Sequence, residues 1–146
     1  VIEGVEVTTL RRIPDARGDI LHMLKSSDSV FVGFGEVYFS FLKPRTVKAW
    51  RRHLASTSQI AVPIGGVRLL IADRRTSSST EGLIMDLEVG EHNYCLITIP
   101  PMLWYAFEAT VEVDSMIVNC ASSPHDPTLV DRREQSDAEF PVVWKH

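Results

Sequence analysis

An all-β domain of the sandwich or jelly-roll kind is what the sequence predicts, on three observations. Apolar residues rarely recur at helical spacing. Short runs rich in Val, Ile, Phe and Tyr dominate, and clusters of turn residues separate them at short intervals. The chain has 146 residues, which fits one domain spanning 1–146, with no internal repeat and no linker. A 45% hydrophobic content is enough for a real core.

Taken in order, the first strand is expected at Val5 to Leu10. A turn follows over Pro14-Asp15-Ala16-Arg17-Gly18, then a strand from Ile20 to Leu24 and a polar loop over Ser26 to Ser29. Val30 to Leu42 is long and apolar, with Gly33 and Gly35 as possible bulge points. From Glu36 it alternates: Glu36, Tyr38 and Ser40 share one face, and Val37, Phe39 and Phe41 share the other. The apolar set is expected in the core, and the polar set faces water or a barrel interior.

Lys43-Pro44-Arg45 is a turn, and Val47 to His53 is the next strand. Ser58 to Ile64 ends at Gly65-Gly66, a hairpin signal, and Val67 to Asp73 returns from it. Arg74 to Glu81 is a polar loop. Strands follow at Gly82 to Val89, Tyr94 to Ile99, Trp104 to Phe107 and Val111 to Ala121, with Pro100-Pro101 forcing an extended turn between the second and third of them. In the tail, one short helix is expected around Leu129 to Gln135, and the apolar end from Phe140 to Trp144 is expected to dock on the body.

The net charge of −4 does not suit a general nucleic-acid binder. No stretch is long and apolar enough to span a bilayer and the N-terminus lacks a signal-peptide pattern, so a cytoplasmic location is the default expectation. Cys95 and Cys120 sit in apolar runs and read as buried free thiols. No cofactor is called for.

Several segments carry chemistry-bearing residues in a recognisable order. Gly90 is followed by Ile99-Pro100-Pro101-Met102-Leu103-Trp104-Tyr105-Ala106-Phe107, similar to the Pro-x-x-Trp-His-x-Phe run of cupins, with Tyr105 where their histidine stands. Thr46-Val47-Lys48-Ala49-Trp50-Arg51-Arg52-His53 resembles the V-L-R-G-L-H-Y segment of the dTDP-4-dehydrorhamnose 3,5-epimerases. Asp15-Ala16-Arg17-Gly18 is similar to their D-x-R-G turn, and Glu36-Val37-Tyr38-Phe39-Ser40 to their Q-x-N-x-S strand. Gly66 through Arg74 and Ser78-Ser79-Thr80-Glu81-Gly82 match a further stretch, and Phe140 to Trp144 resembles the closing Trp motif. The resemblance runs through nearly the whole chain. It implies a cupin-type jelly-roll barrel, a homodimer, and a dTDP-linked 4-keto-6-deoxy sugar bound inside the barrel with protons moved next to its ketone.

The departures from that pattern are chemical. Arg51 stands where the family has its histidine base, and arginine cannot deprotonate at working pH. The last long strand reads Met116-Ile117-Val118-Asn119-Cys120, without the tyrosine that returns a proton from the other face. Lys48 replaces the arginine that meets the phosphates. His53, two residues beyond Arg51, is the candidate base, and it resembles the second histidine in the G-F-H-x-H segment of the related 3,4-ketoisomerases. Tyr105 is the second catalytic candidate, with an edge-of-core role as the bland reading.

Arg17, Tyr38, Lys48, Arg51, Arg52 and Asn119 are the candidate substrate contacts. Strand spacing puts Lys48 with Arg52 on one face and Arg51 with His53 on the other, unless a bulge re-aims the strand. Trp50 and Trp104 read as packing, and His92, His125 and His146 as idle. A metal site is not expected, because only His53 survives of the four ligands a metal-binding cupin supplies. Two functions stay open: an epimerase or ketoisomerase with altered catalytic groups, and a non-catalytic sugar-nucleotide binder on the same barrel.

Overall fold

The computed structural model describes residues 1–146 and holds twelve strands: β1 (Glu6–Thr9), β2 (Arg12–Ile13), β3 (Ile20–Leu21), β4 (Glu36–Leu42), β5 (Val47–His53), β6 (Ser58–Ile64), β7 (Gly66–Ala72), β8 (Ile84–Gly90), β9 (Cys95–Ile99), β10 (Trp104–Ala109), β11 (Ser115–Ala121) and β12 (Val130–Arg132). They form two antiparallel five-stranded sheets, ordered β1-β9-β6-β11-β4 and β12-β5-β10-β7-β8, with β2-β3 as a separate hairpin. The expected jelly-roll architecture is present. No helix is long and apolar enough to cross a membrane.

The main core lies between the sheets. Ile60, Val62, Ile97, Ile99 and Ile117 face Leu69, Ile71 and Phe107, all buried. Each sits at every second position of its strand, as the two-residue side-chain period requires. The turn at Gly65-Gly66 falls where the sequence indicated, but it does not close a hairpin: β6 and β7 belong to different sheets, and the chain crosses from one to the other there. Gly65 has φ +83°, and a Cβ there would lie 2.2 Å from Ser115 Oγ, so only glycine makes the turn.

A second apolar cluster covers the outer face of the β5-side sheet: Trp50, Leu70, Ala72, Trp104, Ala106 and Phe140. The tail docks there as expected, with Phe140 stacked on Trp50 at 4.4 Å and Trp144 edge-on to it at 5.9 Å. Beside them Glu108, fully buried, accepts hydrogen bonds from Arg68 and from the backbone N–H groups of Lys145 and His146. The charge is thus paired and bonded, the condition for burying it.

Two expectations are corrected. The segment around Leu129 to Gln135 is not a helix: a single 3₁₀ turn covers Pro127–Leu129, and Val130–Arg132 pairs with β5 as an edge strand. Tertiary pairing with an open sheet edge outweighs the weak local propensity of this polar stretch. The apolar face of β4 does not enter the core. Val37, Phe39 and Phe41 are 45%, 61% and 54% exposed, and Glu36, Tyr38 and Ser40 face the barrel interior. Val30 to Gly35 is not strand either. It crosses the outer face of the sheet to which β4 itself belongs, where Gln59 of β6 donates to the Val30 carbonyl at 2.8 Å and accepts from the Val32 N–H at 3.4 Å.

Truncating the stacked ring tests the tail's contribution. Phe140→Ala removes a buried aromatic and should cost about 3–5 kcal/mol, read as a lower urea midpoint with unchanged slope.

Candidate functional site

A β-bulge builds the site. In the ladder between β10 and β5, Tyr105 opposes Arg51 and Phe107 opposes Lys48, so Ala49 and Trp50 together stand against Ala106 alone. The extra residue shifts the side-chain alternation by one. Lys48, Arg51 and His53 therefore all face the interior. Trp50 is pinned outside, where its ring stacks on Phe140 and its backbone exchanges hydrogen bonds with Arg133. Arg52 also points outward, ion-paired with Asp131 and lying over Trp104 at 4.7 Å.

β4 and β5 lie at or near the open edges of their own sheets. Lys48 bridges them, donating to Ser40 Oγ at 3.1 Å and to the Phe41 carbonyl at 2.7 Å. The cavity inside has a volume of about 340 Å³, and its lining includes Glu36, Tyr38, Arg51, His53, His125 and Arg132.

Four of the expected residues form one hydrogen-bonded network. His53 Nε2 lies 3.0 Å from the Tyr105 hydroxyl, and Ser58 Oγ lies 3.5 Å from that hydroxyl. The Asn119 side-chain amide donates to Ser58 Oγ at 3.3 Å and to the Tyr38 hydroxyl at 2.9 Å. Its orientation is fixed because its oxygen accepts from the Gln59 backbone N–H at 3.1 Å. Burial pushes the Tyr105 phenol up, which keeps it protonated. Burial also holds His53 below the ordinary histidine value, with Arg51, His125 and Arg132 acting in the same sense and Glu36 opposing them. These surroundings favour the neutral imidazole.

Arg132, which the expected helix concealed, lies directly opposite Arg51 across β5 and β12 and shares the cavity with it. Neither guanidinium has a carboxylate within ion-pairing distance, whereas Arg52 behind them does. Two like charges set face to face destabilise a sheet, so the pair marks a place for an anion. His125, read from the sequence as idle, also lines the cavity. Arg17 is elsewhere, on the exposed β2–β3 hairpin and paired with Asp15. No group of three or more His, Cys, Asp or Glu is placed to hold a metal ion.

No family model matches the chain. The probable low-salt glycan biosynthesis epimerase Agl13 of Haloferax volcanii is 32% identical over 127 residues, which is 86% of this chain and 81% of that protein. The chain belongs to the dTDP-4-dehydrorhamnose 3,5-epimerase family. A dTDP sugar isomerase from Desulfovibrio desulfuricans G20 shares its fold at a TM-score of 0.96, with 39% identity over 98% of this chain and 92% of that one. A dTDP-4-dehydrorhamnose 3,5-epimerase from Sulfolobus tokodaii gives a TM-score of 0.83 at 24% identity, covering 96% of this chain and 82% of that one, and shows the fold. Arg51 and His53 of this epimerase-family chain reach the same cavity one alternation apart on β5.

The electrostatic account can be checked by NMR. His53 should titrate below about 6.5, the ordinary histidine value. Arg51→Gln removes one of the charges that disfavour the imidazolium, so it should move that titration upward.

Proposed function

We propose that this chain is an isomerase that takes a proton from the carbon next to the ketone of a dTDP-linked 4-keto-6-deoxy sugar, as an epimerase or ketoisomerase. The observation that carries the reading is His53, hydrogen-bonded to Tyr105, inside a cavity that also bears two unpaired guanidiniums. A base must be unprotonated at working pH and open to the substrate; burial favours the neutral form of His53, and its ring lines the cavity. Tyr105 is buried beneath it, with its hydroxyl 3.0 Å from His53 Nε2. Arg51, Arg132 and Lys48 supply positive charge for the diphosphate and for the enolate oxygen that forms as the proton leaves. Unpaired Cys95 and Cys120 fit a reducing compartment such as the cytoplasm.

The same reading includes a homodimer. Phe34, 70% exposed, continues the outward apolar face of Val37, Phe39 and Phe41, and β4 ends its sheet with an open edge. A contiguous apolar face on an edge strand marks an association surface. Light scattering should give twice the chain mass across the micromolar range, and Phe39→Asp should shift it toward a single chain.

Binding and turnover should separate by residue. A charge-assisted contact contributes roughly 1.5–3 kcal/mol, so Arg51→Ala, Arg132→Ala or Lys48→Ala should weaken dTDP binding by about one to two powers of ten in calorimetry. His53→Asn should keep that affinity and lower deuterium wash-in from solvent by about 10²–10⁴-fold. A wild-type protein that binds dTDP but exchanges no proton with any 4-keto sugar would be a binder and not an isomerase.

A further inference from the structure

His53 and Tyr38 come from different sheets and look into one cavity from facing walls. His53 ends β5, while Tyr38 lies on β4 in register with Asn119 of β11. Tyr38 is the one cavity-lining phenol, and its oxygen already accepts a hydrogen bond from Asn119, whose amide cannot turn because the Gln59 N–H holds its other end. An oxygen that accepts in this way keeps its own O–H free to donate and is better able to carry negative charge. The buried Tyr105 hydroxyl lies 3.0 Å from His53 Nε2, and its ring lines the same inner pocket as Tyr38 and Asn119. A ring that has lost a proton on one face is inverted only if a proton arrives on the other, so inversion needs donors on two walls.

We infer that Tyr38 is the second proton-transfer residue, delivering a proton to the sugar face opposite His53, with Tyr105 linking the two. The inference rests on the proposed proton-transfer chemistry. The C–H bond next to the ketone breaks, its proton passes to the free nitrogen of the His53 imidazole, and the electron pair moves onto the ketone oxygen as an enolate. The electrons return as the Tyr38 O–H bond breaks and a new C–H bond forms on the other face. Tyr38 takes a proton from Tyr105, and Tyr105 takes one from His53 Nε2. One proton leaves the substrate, one joins it, and all three side chains end neutral. Tyr38 would act from β4, in register with the Asn119 of β11 that bonds its oxygen.

The test uses the full chain with dTDP-4-keto-6-deoxyglucose in deuterated water, following deuterium wash-in and inversion separately by NMR. In Tyr38→Phe, His53 still removes and returns a proton on its own face, so wash-in should stay within about threefold of wild type while inversion falls by about 10²–10⁴-fold. Unchanged dTDP affinity in calorimetry shows that the variant is folded. Inversion at the wild-type rate in Tyr38→Phe overturns the inference, and so does loss of wash-in together with inversion in a variant that still binds dTDP. Wash-in that survives His53→Asn overturns instead the assignment of the base. Tyr105→Phe cuts the link, so inversion should fall by at least tenfold with wash-in retained. Equal loss of both would reduce Tyr105 to a support for His53 and overturn the linking role.

Discussion

One extra residue in β5 decides what the barrel contains. Ala49 and Trp50 oppose Ala106, and the alternation slips by one at that point. Without the slip, Lys48 would face away from Arg51 and His53, and the cavity would lose either that cation or its base. The bulge is held from outside, by the stack of Phe140 on Trp50 and by the paired backbone of Trp50 and Arg133. The aromatic tail therefore serves the interior, although none of its rings enters it. This is why β10 is buried along its whole length, with Tyr105 and Phe107 inside and Trp104 and Ala106 beneath the tail.

Much of this was legible in the residues. Alternation, the Gly65-Gly66 turn and the Pro100-Pro101 break located the strands, and the docking of Phe140 to Trp144 followed from their apolarity at the end of a charged tail. The ordered motifs located the family. The sense of the β5 alternation was not legible, because a bulge leaves no fixed signature when neither of its residues is glycine. The orientation of β4 was misread for a related reason. Periodicity shows that two faces differ but not which one meets the core, and here the apolar face is outermost while the polar one lines a cavity. Arg132 was hidden because a short polar stretch becomes a strand only through the edge it joins.

The polar side chains of the interior are unequal in kind. Asn119 is locked by a backbone group and cannot reorient. His53, Tyr105 and Tyr38 are joined through side-chain atoms, whose protons can be redistributed without moving heavy atoms. Arg51 and Arg132 are left without partners altogether. A rigid amide frame, a set of exchangeable protons and an unneutralised charge are the parts a proton-transfer site needs, and the two sheets contribute them separately.

Lys48 shows how a cation is held between the two sheet edges without being neutralised. Its ammonium group is steadied by a hydroxyl and a carbonyl, both uncharged, and an ammonium has three N–H bonds to offer. An arriving phosphate can take the remaining donor without evicting an internal carboxylate. The Lys48 charge stays unspent, so under the proposed reading a phosphate would be drawn in by long-range attraction. Dissolved salt weakens such attraction over about 10 Å at 0.1 M, so ionic strength acts on how fast the barrel fills before it acts on anything that happens inside.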